Sequence, residues 1–195
     1  QLCVGRQPPK LHRLLAYMAD QGLLQRVYTQ NIDGLEVAAG VPPALVVNCH
    51  GSVQRAVCSA DAAHRTGAAT LAEVLQHLSA TGAAPRCAAC GALVRPDVVF
   101  FGEPLPTEAT HLSGGDFWNC DMLIVAGTTL NVYPVAGFVN QVQPLTPRLL
   151  INREAVGPWR TSVPFGEGAA FRDALFEGAC DDGAEQLAGM LGWNL

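Results

Sequence analysis

Leu11, Leu14, Leu15 and Met18 recur at i, i+3, i+4 and i+7, which predicts an amphipathic helix over residues 8–21. Gly22 is a natural stop for it. The apolar run "LLQRVYT" then reads as a strand that opens into a polar stretch, "TQNIDG" (29–34). "ALVVN" (44–48) is a second short apolar run and ends at Cys49-His50-Gly51. A helix is predicted from about 70 to 79, because Thr70 and Glu73 match the T-x-x-E capping box and Gly82 follows. "DVVFFGE" (97–103) reads as a strand entering a loop. "DMLIVAGTTLNV" (121–132) is nearly continuous in apolar residues, as a parallel strand buried on both faces would be. Residues 134–142 read as helical with Pro134 in the first turn, "RLLIN" (148–152) as a buried strand, and 182–191 as a last helix capped by Asp181 or Asp182.

Strands alternating with helices predict an α/β chain: a Rossmann-like parallel sheet with helices on both faces. The character changes between 52 and 97, where Cys58, His64, Cys87 and Cys90 surround the capped helix. That segment is read as a small zinc-binding insertion, with 1–51 and 98–195 forming the main domain. Four strands end in polar or glycine-bearing loops: TQNID, NCHG, GTTLN and NRE. Open parallel sheets bind ligands at the carboxyl ends of their strands, so these loops predict a crevice for a ligand rich in hydrogen-bonding groups.

Composition narrows the classes. The chain has 195 residues, 49% hydrophobic and 15% charged, enough to build a core. Its net charge of -5 argues against a nucleic-acid binder. No apolar run approaches the ~20 residues that span a bilayer, so no membrane partner is expected. There is neither a signal peptide nor an initiator Met, and Gln1 reads as an internal start. Seven cysteines with a single C-x-x-C pair and no secretory signal point to a reducing compartment.

Cys87-Ala88-Ala89-Cys90-Gly91 is a common half-site for structural zinc. Cys58 is the obvious third ligand. The regular partner position holds Asp61, and His64 lies six residues after Cys58; His64 is favoured and Asp61 stands second. A redox C-x-x-C would normally begin a helix behind a strand, whereas Pro85 precedes this one and Gly91 follows it. An isolated histidine is more often structural than catalytic, but His50 sits on the edge where the polar loops converge, and imidazole is the side chain best suited to accept a proton near neutral pH. Gly127-Thr128-Thr129 alone is a weak signal, no G-x-G-x-x-G occurs, and Asp33-Gly34 is also a common turn pair.

Taken in order, "YTQNIDGLEVAAG", "HGS", the C-x-x-C-G, "RPDVVFFGEPLP", "GTTLNVYP", "LLIN" and "EGACDD" resemble the landmarks of the sirtuins, from about residue 8 to the C-terminus. The ending looks most like the cytosolic eukaryotic branch. The resemblance implies an NAD-dependent protein deacylase that holds a zinc ion. Gln30, Asn31, Ile32 and Asp33 would belong to the NAD pocket, with Asn31 beside His50 in the catalytic set and His50 as general base. Gly127, Thr128, Thr129, Leu130 and Asn131 would hold the adenosine side, with Asn152, Arg153, Glu154 and Cys180 around the adenine and its ribose. Val99, Phe100, Phe101, Gly102 and Glu103 would line the acyl-lysine channel and pair with substrate backbone by strand addition. The implied zinc ligands are Cys58, His64, Cys87 and Cys90; the implied partners are acylated proteins such as histones or tubulin-like substrates, in the cytoplasm and also the nucleus.

Three departures stand out. The family's opening "GAG" with its Ser, and the nearby "PDFR", do not occur in these residues. They would supply a first strand and a helix N-terminus for the pyrophosphate, so weak NAD binding or inactivity is the expectation for this chain as it stands. The half-site at Cys58 lacks its second Cys, and Thr129 replaces the family's usual Ser. Two other functions remain open: mono-ADP-ribosyl transfer to protein, and a non-catalytic scaffold binding acyl-lysine or a partner.

Overall fold

The computed structural model describes residues 7–61, 64, 70–161 and 172–195; Cys3 lies outside them. The chain divides into two compact units. One comprises residues 28–34 and 48–106, and the other holds the remaining described residues.

In the larger unit, α1 (Lys10–Asp20) forms where the leucine stripe predicts it and stops before Gly22, whose φ of 69° is the left-handed turn that glycine adopts without a Cβ penalty. Its apolar face packs on α5 (Cys180–Met190): Leu14, Ala184 and Ala188 are buried together, flanked by Leu11, Met18, Leu187 and Trp193. The carboxylate of Asp181 accepts the Leu11 amide at 3.1 Å. This corrects the expected caps: α5 begins behind Ala179, with no side-chain cap, and Asp181 satisfies an orphan donor of α1 instead.

Three parallel strands lie side by side in the order β5 (Leu123–Ala126), β6 (Arg148–Asn152), β7 (Asp173–Glu177). Val125 and Leu150 pack into one core with Val139, Val156 and Trp159. β7 was not anticipated, since "DALFE" puts two acids around a three-residue apolar run and shows no clean period. The expected helix over 134–142 is a 3-10 segment, Val135–Asn140. α4 (Thr107–Asn119), also unforeseen, contains Gly114 and Gly115 and a weak apolar stripe. α2 (Leu35–Ala38) is a single turn behind "NIDG".

β1 (Val27–Thr29) and β2 (Val46–Asn48) pair with each other and are shorter than their apolar runs suggest. In the smaller unit, β3 (Gly51–Cys58) and β4 (Val94–Val98) form an antiparallel ribbon with a bulge between Ser52 and Ala56. α3 (Leu71–Thr81) carries the predicted capping box, both halves of it formed, and ends at left-handed Gly82. β4 stops at Val98, whereas the sequence predicts a strand over 97–103; the chain turns because Glu103 folds back on Phe100, donating its amide to the Phe100 carbonyl at 3.0 Å. Among the described residues no helix is long and apolar enough to cross a membrane.

Candidate active site and metal centre

In the smaller unit, the chain leaving β1 and the turn between β2 and β3 come together. The Thr29 carbonyl accepts the Cys49 amide at 2.9 Å, and the Ile32 carbonyl accepts the Val53 amide at 2.9 Å. Gln54 Nε2 donates to the Asp33 carbonyl at 2.8 Å, which fastens the loop from the β3 side. Asn31 is held by its amide, which donates to Thr29 Oγ1 at 3.1 Å, and is itself exposed. Thus "TQNID" is held through its backbone groups, two of them bonded to the side chains of Thr29 and Gln54.

His50 follows β2, and its Nδ1 lies 3.2 Å from the Gln30 carbonyl oxygen. A carbonyl can only accept, so in the neutral ring Nδ1 carries the proton and Nε2 keeps its lone pair. Gly51 has φ 77°, and a Cβ there would sit 2.1 Å from the Asp97 carbonyl oxygen, so only glycine lets β3 approach β4 beside His50. The next segment is tied in by the Val99 amide, which donates to the His50 carbonyl at 2.9 Å. The Phe100 amide donates to the Glu103 carboxylate at 3.0 Å, and Gly102 has φ 87°. Two of the amides expected to pair with substrate backbone, those of Val99 and Phe100, are therefore engaged within the chain. Phe101 is 106% exposed and Phe100 52%, so neither forms a closed wall by itself.

The larger unit brings its predicted residues to one edge. The loop after β5 carries Gly127–Asn131, β6 ends at Asn152 with Arg153 and Glu154 behind it, and Cys180 opens α5 after β7. The Gly127 amide donates to the Ile151 carbonyl at 3.1 Å, and a Cβ at Gly127 would lie 3.3 Å from Cys180 Sγ, so the glycine opens a cradle there. Leu130 is the one described non-glycine residue with positive φ, 51°; its amide donates to Thr128 Oγ1 at 3.1 Å and its side chain packs toward the Val125 core. Thr129, Asn131, Arg153 and Glu154 are exposed. Buried Asn152 donates Nδ2 to the Glu154 carbonyl at 2.9 Å, and its own carbonyl accepts the Gly178 amide at 2.8 Å. Burial first, then neighbouring Asp181, pushes the Cys180 thiol up, which keeps it neutral. Asp181 and Asp182 occupy the first turn of α5, so that helix start repels anions and is no pyrophosphate seat.

Cys58, His64, Cys87 and Cys90 each turn a ligand atom into one group, with all four atoms within 4.8 Å of one another. Tetrahedral zinc with Zn–S near ~2.3 Å sets its sulfurs about 3.8 Å apart; Cys58 Sγ and Cys90 Sγ lie 3.5 Å apart. His64 Nδ1 is buried with no hydrogen-bond partner, an orphan that a metal would satisfy. The Ala60 amide, then His64, hold the Cys58 thiol down at about 6 against the opposing effect of burial, which favours the thiolate a metal requires. The donor set thus fits zinc, and a four-ligand shell leaves no position for substrate. Asp61 stands outside this group, with its carboxylate 3.9 Å from His64 Nε2.

The Sir2 family model matches residues 1–134. This chain belongs to the Sir2 family. Among related sirtuins, NAD-dependent protein deacetylase sirtuin-3 of Mus musculus is 39% identical over 96% of this chain and 53% of its own length. NAD-dependent protein deacetylase sirtuin-2 of Danio rerio is 35% identical over 96% of this chain and 51% of its own. A solved structure described as "Sir2-p53 peptide-NAD+" superposes with a TM-score of 0.76 at 28% identity, covering 95% of this chain and 71% of that one. Another, "The Structural basis for Sirtuin Substrate affinity", gives 0.77 at 28% identity over 98% and 75%. The sirtuin fold expected from the motifs is therefore the fold found, and the chain spans about half the length of the curated relatives it matches. Two structural contributors were missed, Gln54 and Arg95: each acts through a backbone carbonyl, and such bonds leave no trace in residue spacing.

Proposed function

We propose that this chain carries the catalytic core of an NAD-dependent protein-lysine deacylase, most simply a deacetylase, releasing nicotinamide and 2′-O-acyl-ADP-ribose. The observation that carries the reading is the His50–Gln30 contact, which leaves the imidazole Nε2 basic at the mouth of the "TQNID" loop. Support comes from relatives named as NAD-dependent protein deacetylases and from a solved relative described as bound to an acetylated peptide.

In this reading Gln30 and Asn31 serve the nicotinamide ribose, Ile32 and Asp33 serve the nicotinamide carboxamide, and Asn31 joins His50 in the catalytic set. Gly127–Asn131, Asn152–Glu154 and Cys180 take the adenosine end, where the glycine cradle and neutral thiol admit a flat, uncharged ring. Bound NAD supplies an electrophilic ribose carbon and a nicotinamide leaving group. His50 takes a proton from a ribose hydroxyl at Nε2, while Nδ1–H stays on Gln30 and fixes the ring. Val99–Glu103 receives the acyl-lysine segment. The zinc group holds the β3–β4 end of its unit and takes no part in chemistry. Acylated histones or tubulin-like proteins, in the cytoplasm or nucleus, are the substrates to test, a choice resting on the likeness of the C-terminal residues to the cytosolic branch.

His50→Tyr tests the assignment. Nicotinamide release that depends on an acetylated peptide should fall by about 10²–10⁴-fold, the usual worth of a general base, with an unchanged melting transition. Surviving turnover refutes His50 as base. Label from the adenylate moiety retained on protein would instead support ADP-ribosyl transfer.

A further inference from the structure

Arg95 and Glu103 share a set of contacts that the site described above does not use. Arg95 Nη2 donates to Glu103 Oε1 at 2.9 Å, and Arg95 Nη1 donates to the Val98 carbonyl at 3.0 Å. The other carboxylate oxygen, Oε2, accepts the Phe100 amide at 3.0 Å. The Arg95 guanidinium lies over the Phe100 ring, with Cζ 5.0 Å from its centroid. The Glu103 amide closes the turn onto the Phe100 carbonyl at 3.0 Å. Arg95 is seated in β4, opposite Val57 of β3, so one end of this set is anchored in the ribbon.

An isolated surface ion pair contributes little, and by side-chain exposure this pair, at 21% and 39%, is only half sheltered. Its effect comes from coupling. A single carboxylate holds a strand-anchored guanidinium with one oxygen and a loop amide with the other, while the guanidinium grips the carbonyl before the loop and the ring within it. Both ends of Val98–Glu103 are therefore fixed to one side chain of β4.

We propose that Arg95 and Glu103 form a clamp that presets the acyl-lysine-binding segment, which gives Glu103 a positioning role within that segment. The inference rests on the deacylase reading for its kinetic consequence, but the clamp itself does not. A preset segment spares the peptide the entropy of ordering it. Losing the clamp weakens peptide binding and leaves the proton transfer at His50 in place.

The test combines amide exchange with kinetics on the protein, comparing Glu103→Ala, Glu103→Gln, Arg95→Ala and the double alanine variant. Exchange of the Phe100 amide should quicken about tenfold in Glu103→Ala, with partial rescue in Glu103→Gln, whose carboxamide oxygen still accepts. For an acetyl-lysine peptide, kcat/KM should fall about tenfold in either alanine variant, chiefly through KM. The double variant should lose no more than the worse single one, since both changes open the same clamp. The loss should be equal for peptides with acidic or basic residues beside the lysine. Additive losses, a loss that follows peptide charge, or an unchanged Phe100 exchange rate would each overturn the proposal. If the parent protein shows no peptide turnover, the Phe100 exchange rate decides the clamp alone.

Discussion

Replacing Asp173 by Asn should strip a buried cation of its counter-charge. Arg148 opens β6 and Asp173 opens β7, and their side chains are 5% and 6% exposed. Nε and Nη2 of Arg148 reach the two carboxylate oxygens at 2.6 Å each, a fork matched to a fork. The remaining guanidinium nitrogen, Nη1, donates to the Val139 carbonyl at 3.1 Å, and Cζ lies 5.0 Å from the Trp159 ring centroid. Breaking a buried pair from one side costs about 3–5 kcal/mol, because the surviving charge has lost both water and partner. Arg148 keeps the Val139 bond and the ring, so the low end, about 3 kcal/mol, is expected. In a chain of this size each kcal/mol shifts the melting temperature by roughly 2–4 °C, giving a fall of about 6–12 °C. The double change Arg148→Met with Asp173→Leu should cost less, about 1 kcal/mol, chiefly for the orphaned Val139 carbonyl. Urea unfolding with a common m-value measures both. A single variant costing under about 1 kcal/mol, or a double variant as costly as the single, would refute the reasoning.

Gly51→Ala should destabilise by about 2–5 kcal/mol, combining left-handed strain with the overlap on the Asp97 carbonyl, and should lower turnover through His50; denaturation and kinetics separate the two, and a neutral variant would contradict the β3–β4 approach. Burial raises the Cys49 thiol to about 11 from 9.0, so the folded state favours the neutral form. That contribution is complete below pH 9 and is lost as pH climbs toward 11, by up to about 2.7 kcal/mol; denaturant midpoints across this range check it, and rapid alkylation of native Cys49 at pH 8 would count against it. Chelating the metal, or His64→Ala, should lower the melting temperature of the smaller unit, read by calorimetry together with released zinc; unchanged melting would argue against a structural metal.

Much of this protein was legible before any coordinates. The leucine stripe of α1, the Thr70–Glu73 box and the buried run of β6 are local signals, because period and capping act within a turn or two of the residues that set them. The order of the loops was enough to place the chain among the sirtuins. The sequence alone also ranked His64 above Asp61, and the described group contains His64. What only tertiary structure decided depends on partners far along the chain. Asp181 caps α1 across 170 positions, where proximity to α5 suggested a local cap. Glu103 ends β4 by bonding to Phe100 and to Arg95, so a run with strong strand propensity turns at Val98. β7, too short and too acidic to show a period, exists because Arg148 neutralises Asp173 and β6 supplies its ladder. Periodicity reports which face a residue would bury, whereas a charge or an amide settles only when the fold brings its counterpart within bonding distance.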